Sequence, residues 1–286
     1  MIITNDEFNN TFNTQIFGNS KKDLIEKIAE SPDRYVGIFR PTKPRTKIIQ
    51  NILQSHEIRF GDALENIIEL YLARVGYEIF DKRLISSDGD DLSVDQLFSK
   101  DGKVFFVEQK VRDDHDSTKK RGQVSNFEKK LDTLCRKYGE SKMSGFFYFI
   151  DDSLKKNENY YKEEIDKISS SYSVDCSLCY GKEFFDLIKH QEIWEELLGN
   201  LKQWRRNLPD LPETNFDINY SESFEEIKDI SPSVYRKLFE NAQIRGDIFP
   251  IIFPTKKVLR LLIGYFKSKN RPVYDTLAAL CSEKCL

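Results

Sequence analysis

The segment 103–111, KVFFVEQKV, constrains the fold of this 286-residue chain more than any other. Its run Val104–Val107 is continuously apolar, and β-branched and aromatic residues of this kind favour an extended strand. A strand with one exposed face alternates apolar and polar side chains, whereas an unbroken apolar run indicates that both faces are covered. The segment therefore predicts a central strand in a sheet that is packed on both sides.

The neighbouring segments predict which elements surround this strand. The predicted elements are a long helix from about Thr46 to Gly76, strands at 77–85 and 92–100, a tight turn at Lys100–Gly102, a helix at 124–140 and a strand at 145–152. Periodic apolar positions define the helices, and short apolar runs between turn residues define the strands. The predicted order is helix, strand, strand, strand, helix, strand, which is typical of an α/β fold.

The chain length and the positions of the prolines predict that the chain is divided into three parts. They are a helical and loop extension at 1–50, a sheet-centred core at 51–180, and a mostly helical C-terminal part at 181–286.

Charge is abundant but nearly balanced in this chain. Charged residues make up 32% of the sequence, with 44 basic against 47 acidic side chains and a formal net charge of −3. A protein with this balance can bind nucleic acid only if it separates its basic and acidic groups. Global charge therefore argues mildly against a nucleic-acid partner, and only local patterning can overturn that.

The sequence predicts a cytoplasmic protein without a membrane partner. It has no apolar run of membrane-spanning length and no secretory signal at its start. Its five cysteines, an odd number, favour reduced thiols. The pairs Cys176 and Cys179, and Cys281 and Cys285, only loosely match zinc-ligand spacing, so a structural zinc site stays the less favoured alternative.

Three polar residues in the predicted strands lie where a hairpin would bring them together. Asp95 precedes the turn at Lys100–Gly102, and Glu108 and Lys110 follow it on one strand face. The two carboxylates would come nearly level and repel unless a cation joined them. Oxygen ligands beside a phosphate are what Mg²⁺ prefers. The structural alternative is an ion pair on an edge strand with Asp95 as a strand-end acid.

The same residues resemble a known motif. Asp95, followed after an apolar strand by Glu108-Gln109-Lys110, is similar to the PD-(D/E)xK nuclease signature, and the resemblance covers about residues 59–152. It implies a restriction-endonuclease-like core with a central mixed β-sheet flanked by helices. The sequence departs from the signature at Val94, where proline is typical.

The resemblance also implies roles for individual residues. Asp95 and Glu108 are expected to bind Mg²⁺, and Lys110 is expected to act on the phosphate or on the attacking water. Glu65, on the helix before the strands, is expected to be a supporting acid of the catalytic site. The alternative for Glu65 is a solvent-facing acid beside Arg59.

The segment 112–123, RDDHDSTKKRGQ, predicts a polar loop directly after the central strand. Its candidates for DNA binding are Arg112, Ser117, Lys119, Lys120, Arg121 and Gln123. Basic and hydroxyl groups suit phosphates, while Arg and Gln can recognise base edges. His115 is a weaker candidate for a general base, and Asp113, Asp114 and Asp116 either approach a metal or a base or keep the loop solvated. A polar turn without a special role is the alternative.

Among proteins that carry the signature, chains of this length with added helices look most like type II restriction endonucleases. That resemblance implies Mg²⁺-dependent cleavage of double-stranded DNA to 5′-phosphate and 3′-hydroxyl ends. It also implies a homodimer on a near-palindromic site and a cognate DNA methyltransferase. The C-terminal part at 181–286 would then serve DNA contacts or dimerisation. The alternatives are a repair or recombination nuclease of the same fold, and a non-catalytic DNA-binding protein with a chance motif.

Overall fold

The structure is a computed structural model that describes residues 1–86 and 88–286. The strands are β1 (Glu78–Ile79), β2 (Arg83–Ile85), β3 (Asp91–Ser93), β4 (Gln96–Lys100), β5 (Lys103–Lys110), β6 (Met143–Phe149) and β7 (Asp175–Tyr180). The helices are α1 (Asn5–Phe17), α2 (Ser20–Glu30), α3 (Asp33–Val36), α4 (Pro44–Arg74), α5 (Ser117–Tyr138), α6 (Glu158–Tyr172), α7 (Lys182–Leu187), α8 (Gln191–Arg206), α9 (Tyr220–Ile227), α10 (Pro232–Glu240), α11 (Phe249–Ile252), α12 (Lys257–Ser268) and α13 (Pro272–Cys285). A 3₁₀ turn lies at Glu140–Lys142 and a π-helical turn at Ile244–Ile248.

The described residues form two compact units. The first contains Met1–Phe12 and Phe60–Asn207, and the second contains Asn13–Arg59 and Leu208–Leu286. Helices α1 and α4 contribute residues to both units, so neither unit is one continuous segment. The division into parts at 1–50, 51–180 and 181–286 stays a prediction.

The first unit is built on a five-stranded sheet with the order β1-β4-β5-β6-β7. The pairs β1–β4 and β4–β5 are antiparallel, whereas β5–β6 and β6–β7 are parallel. Helices α5 and α6 connect the parallel strands, as a parallel crossover requires. The sheet is therefore mixed and flanked by helices, which confirms the predicted fold class.

Strand β5 lies at the centre of this sheet with both faces covered. On one face the ring of Phe106 stacks on Phe127 of α5, with centroids 5.0 Å apart. On the other face Phe105 stacks on Phe146 of β6, which in turn contacts Phe184 of α7. Burying one such phenylalanine contributes about 1.5–3 kcal/mol to stability. The predicted central strand is confirmed.

A two-residue turn sets the register of the β4–β5 hairpin. Asp101 and Gly102 have φ angles of 53° and 77°, the left-handed values that a type I′ turn requires at both central positions. The register pairs Lys100 with Lys103 and Gln96 with Val107. Continued by one residue, it sets Asp95 opposite Glu108, as the sequence predicts.

Two predicted strands are each divided in the structure. The predicted strand at 92–100 is β3 followed by β4, because β3 pairs with β2 in a separate two-stranded sheet while β4 joins the main sheet. The chain changes sheets at buried Val94 and at Asp95, so Asp95 precedes β4 rather than lying within a strand. The predicted strand at 77–85 is likewise β1 and β2, in different sheets.

The predicted polar loop at 112–123 is wrong from Ser117 onward, because α5 begins there. The Asp116 carboxylate accepts hydrogen bonds from the backbone N–H groups of Thr118 and Lys119. That is the bonding of a helix N-cap, which satisfies donors that the first turn leaves free. A loop therefore occupies only the part of this segment before the cap.

The second unit is helical and has its own apolar core. Residues of α2 and of the first part of α4 pack there with α9–α13, including Ile28, Ile48, Leu238, Leu262 and Leu277, each at most 1% exposed. Helices α7–α13 have the mostly helical character that the sequence predicts for residues 181–286.

Candidate functional site

The structure brings together the three residues that the sequence singles out. The Lys110 Nζ donates to Asp95 Oδ2 at 3.0 Å, to Glu108 Oε1 at 2.8 Å and to the backbone oxygen of Gln109 at 2.8 Å. Three oxygens therefore converge on one positive charge at the end of β5.

Local backbone structure accounts for this convergence. Glu108 and Lys110 lie two residues apart on β5 and so share a face. Asp95 reaches the same point because its Oδ2 accepts the backbone N–H of Gln109 at 2.7 Å. A side-chain oxygen thus takes the position of a ladder acceptor where β4 has not yet begun. The break between β3 and β4 therefore frees Asp95 to face the site.

Sequence reasoning missed Lys130, which completes the cluster. Lys130 on α5 is 4% exposed and Glu108 is 2% exposed, and the lysine Nζ donates to Glu108 Oε2 at 2.5 Å. The signal was present in the helix pattern, since Lys130 follows Phe127 by three residues and precedes Leu134 by four. It therefore interrupts the apolar face of the helix.

Glu65 adds a third acid to this end of the unit. Burial, and then the nearby Asp95 carboxylate, raise the pKa of Glu65 to about 8. The Glu65 backbone oxygen also accepts a hydrogen bond from the Gln96 side chain at 2.7 Å, which links α4 to the start of β4. The Arg59 guanidinium pairs with Asp23, and the role of Glu65 stays a prediction.

Lys110 is a cation in this environment. Burial lowers the pKa of Lys110, but the Glu108 and Asp95 carboxylates together outweigh burial, so the pKa lies above its ordinary value. Lys110 is therefore suited to donate hydrogen bonds and to neutralise charge, and unsuited to remove a proton.

The oxygen atoms at the site fit a hard divalent cation. Among residues 1–86 and 88–286, no group of three or more His, Cys, Asp or Glu side chains forms a metal site. Mg²⁺, however, is usually held by one or two carboxylates together with water and substrate phosphate, rather than by a complete protein cage. The three oxygens around the Lys110 ammonium are donors of that kind.

The six predicted DNA-binding residues have three kinds of environment. Ser117, Lys119 and Arg121 are exposed on the first turns of α5. Two others are held by neighbours: Lys120 Nζ donates to Asn157 at 3.2 Å, and Gln123 accepts from the Tyr161 hydroxyl at 2.6 Å. Arg112 is half-buried at the end of the sheet. Gln123 is therefore less available for base contacts than its sequence position suggests.

Asp113 has a structural environment. It is fully buried, and its carboxylate accepts from the Asn157 backbone N–H at 2.7 Å, the Asn157 side chain at 2.8 Å and the Tyr180 hydroxyl at 3.0 Å. These bonds attach the segment after β5 to the start of α6 and to β7. The expectation that Asp113 either approaches a ligand or keeps the loop solvated is wrong.

His115 lies in the short segment between the end of β5 and the start of α5. Its Nδ1 is 3.4 Å from Asp114, and burial, followed by Lys119, lowers its pKa. It is not among the hydrogen-bond partners of Lys110. The role of general base for His115 stays a prediction.

A basic cavity of about 260 Å³ lies beside these elements. It is lined by Lys120, Lys155 and Lys156 among other residues. Two of these ammonium groups lie over aromatic rings: Lys120 is 4.3 Å from the ring centre of Tyr160, and Lys155 is 4.5 Å from that of Tyr180. Lys155 and Lys156 are basic residues that the sequence analysis did not single out.

The cysteines are buried free thiols. Cys176 and Cys179 lie three positions apart on β7, and successive side chains of a strand alternate, so the two thiols point to opposite faces of the sheet. This arrangement does not favour a shared zinc ion, and no metal-binding group of side chains occurs within the described part of the chain.

No helix of the described residues is both long and apolar enough to cross a membrane. Comparisons with curated proteins and with solved structures found no match. The profile of the family described as "Type II restriction endonuclease, HinfI" matches residues 4–88 and 79–205, which together make up more than half of the chain and contain the whole hairpin site. The chain belongs to the HinfI family of type II restriction endonucleases.

Proposed function

We propose that the protein is a Mg²⁺-dependent, sequence-specific endonuclease that cuts both strands of DNA and leaves 5′-phosphate and 3′-hydroxyl ends. The observation that carries the proposal is the convergence of Asp95 Oδ2, Glu108 Oε1 and the Gln109 carbonyl on one cationic nitrogen, within 3.0 Å of it. Oxygens so arranged around a positive charge suit a divalent cation beside a phosphodiester.

Asp95 and Glu108 would hold the cation, with the Gln109 carbonyl as a third oxygen donor. When bound, the ion would supply activation of water and neutralisation of charge on the phosphate. Lys110 would turn its ammonium from the carboxylates to a phosphate oxygen, whose negative charge would favour the protonated form of the amine. Glu65 would support the site from α4, and in the cation-free protein burial and the Asp95 carboxylate raise its pKa to about 8.

The first turns of α5 would contact DNA next to the site. Ser117, Lys119 and Arg121 are exposed there, and basic and hydroxyl groups of this kind bind backbone phosphates. Lys120, with Lys155 and Lys156 in the same cavity, would extend the positive surface along the strand. Arg112 and Gln123 are proposed as DNA contacts with smaller contributions.

The partners follow from the chemistry of a palindromic site. Two copies of the chain would place two hairpin sites on the two strands, since two-fold protein symmetry matches two-fold DNA symmetry. Cells that make such an enzyme must protect their own DNA, and a cognate DNA methyltransferase would do so.

Digestion of phage DNA tests the proposal. Discrete fragments are expected with Mg²⁺ and none with EDTA, and end-labelling is expected to find 5′-phosphates. An Asp95→Asn variant, folded by circular dichroism, is the matched control and is expected to leave the DNA intact. Cleavage in EDTA would contradict the metal dependence, and nicking directed by DNA structure rather than sequence would contradict the restriction role.

A further inference from the structure

The buried lysine on α5 has no explanation in packing. Lys130 is 4% exposed, and the other buried residues of α5, Phe127 and Leu131 among them, are apolar. A buried ammonium is strongly disfavoured without a partner, and apolar residues of similar volume often serve stability as well as a buried ion pair does. The charge of Lys130 therefore calls for a role that an apolar residue cannot fill.

The two oxygens of Glu108 are divided between two lysines. Oε1 accepts from Lys110 at 2.8 Å, and Oε2 accepts from Lys130 at 2.5 Å. The Lys110 side chain is 24% exposed and also reaches Asp95, whereas the Lys130 side chain is 6% exposed within the core. Lys110 thus has room to leave the carboxylate, and Lys130 does not.

We propose, resting on the nuclease function above, that Lys130 is a positioning residue that reserves Oε2 of Glu108 and leaves only Oε1 for a divalent cation. Without this ammonium, the Glu108 carboxylate would offer both of its oxygens to the cation. The loss of the Lys130 charge would also remove a repulsion that weakens cation binding. The carboxylate would also lose the contact that fixes its direction. Cation binding and cleavage should therefore respond to loss of Lys130 with opposite signs.

The test compares Lys130→Met with Lys129→Met. Lys129 lies next to Lys130 on α5 but pairs with exposed Asp90, so its substitution is the matched control. The measurements are Mn²⁺ binding to the DNA-free protein by calorimetry, and the single-turnover cleavage rate at saturating Mn²⁺.

Lys130→Met is expected to bind Mn²⁺ at least about tenfold more tightly, because one nearby like charge is removed in a buried setting. Its cleavage rate is expected to fall by about 10–100-fold, the usual effect of losing a group that orients a metal ligand. Lys129→Met should match the parent in both measurements. Lys130→Arg, which keeps the charge, should lie closer to the parent than Lys130→Met does.

Unchanged or weaker Mn²⁺ binding in Lys130→Met would overturn the proposal, and so would an unchanged cleavage rate. A lysine with a structural role alone would lower folding stability without moving either quantity per folded molecule. If Lys130→Met does not fold, Lys130→Gln, which removes the charge but keeps a hydrogen-bond donor, takes its place in both measurements. Unchanged or weaker Mn²⁺ binding by that variant would overturn the proposal in the same way.

The two proposals fail separately. A parent protein that never cuts DNA contradicts the nuclease function, while calorimetry still decides the role of Lys130. Asp95→Ala must abolish Mn²⁺ binding in the parent and in Lys130→Met, since that assigns the binding to this site. Binding that survives Asp95→Ala would overturn the role proposed for Lys130 but not cleavage itself.

Discussion

Two buried carboxylates near the end of β5 are satisfied in opposite ways. Glu108 is 2% exposed and accepts from the ammonium groups of Lys110 and Lys130. Asp113 is 0% exposed and accepts from neutral donors of Asn157 and Tyr180. Burial is the same for both acids, but the partners differ in charge.

The difference distinguishes the candidate catalytic site around Glu108 from the structural hydrogen bonds around Asp113. Ammonium groups around Glu108 compensate charge that a divalent cation can also compensate, and the neighbouring Asp95 and Lys110 side chains are 17% and 24% exposed. Neutral donors around Asp113 close the carboxylate off and tie three chain segments together. A buried acid therefore indicates a metal site only when a metal ion can replace the groups that neutralise its charge.

The largest effect should separate the two carboxylates by activity. Glu108→Gln removes a proposed cation ligand, so the single-turnover cleavage rate should fall by roughly 10²–10³-fold or more. Asp113→Asn is the comparison, because Asp113 lies outside the Lys110 cluster. The amide has nearly the size of the carboxylate and keeps one acceptor oxygen. Plasmid cleavage by both variants, with folding checked by circular dichroism, tests the contrast. Equal losses of activity in the two would erase it.

The next effect should separate them by stability. Asp113→Ala leaves three buried donors without their acceptor, each at about 1–3 kcal/mol, so the free energy of unfolding should fall by about 3 kcal/mol or more. Urea denaturation measures the change. Asp114→Ala, at the exposed neighbouring position, is the control and should behave as the parent. A stable Asp113→Ala protein without cleavage activity would place Asp113 in the site instead.

A smaller effect should appear in the pH dependence of stability. Folding raises the pKa of Glu65 from 4.5 to about 8, so the folded state binds more protons than the unfolded state between these values. The stabilising contribution is complete below pH 4.5 and is lost as the pH rises to about 8. Unfolding between pH 5 and 8.5 should show a loss of the order of 2 kcal/mol that Glu65→Gln lacks.

This loss of stability comes from Glu65 near Asp95, and not from the hydrogen bonds of Asp113. Asp113→Asn should therefore retain the same slope of stability against pH as the parent. A slope that survives in Glu65→Gln would mean that another group carries it.

The smallest effect should come from the hairpin turn. Gly102→Ala forces a Cβ onto a residue with φ of 77°, at a cost of about 1–2 kcal/mol. Because the turn sets the register that puts Asp95 opposite Glu108, cleavage should fall with stability, while the Asp113 hydrogen bonds stay intact. Hydrogen exchange of the Gln109 and Asn157 backbone N–H groups measures both sites at once. Faster exchange at Asn157 alone would contradict this expectation.

The central features of the fold could be predicted because they depend on local rules. The run Val104–Val107 predicts a covered strand, and Asp101-Gly102 predicts a tight hairpin. Strand alternation then places Glu108 and Lys110 together. Each of these inferences uses residues that are close in sequence.

The remaining features depend on partners that are distant in sequence. Lys130 contacts Glu108 only because α5 packs on the sheet, and Asp113 is satisfied by Asn157 and Tyr180 from later elements. The start of α5 differs from the prediction for another reason, because the acidic and polar composition of 112–123 favours a loop while Asp116 caps a helix. An N-cap is distinguished from a loop acid by its hydrogen bonds rather than by composition.

The composition of the two compact units has a consequence for how the chain folds during synthesis. Every residue of the first unit, including the hairpin site, has been made once the ribosome passes Asn207. The second unit needs Asn13–Arg59 together with Leu208–Leu286, so the apolar side chains of the earlier segment lack their partners until the later segment is made. Newly made chains therefore carry exposed apolar surface while the first unit can already fold, and that interval is when aggregation or chaperone binding is most favoured.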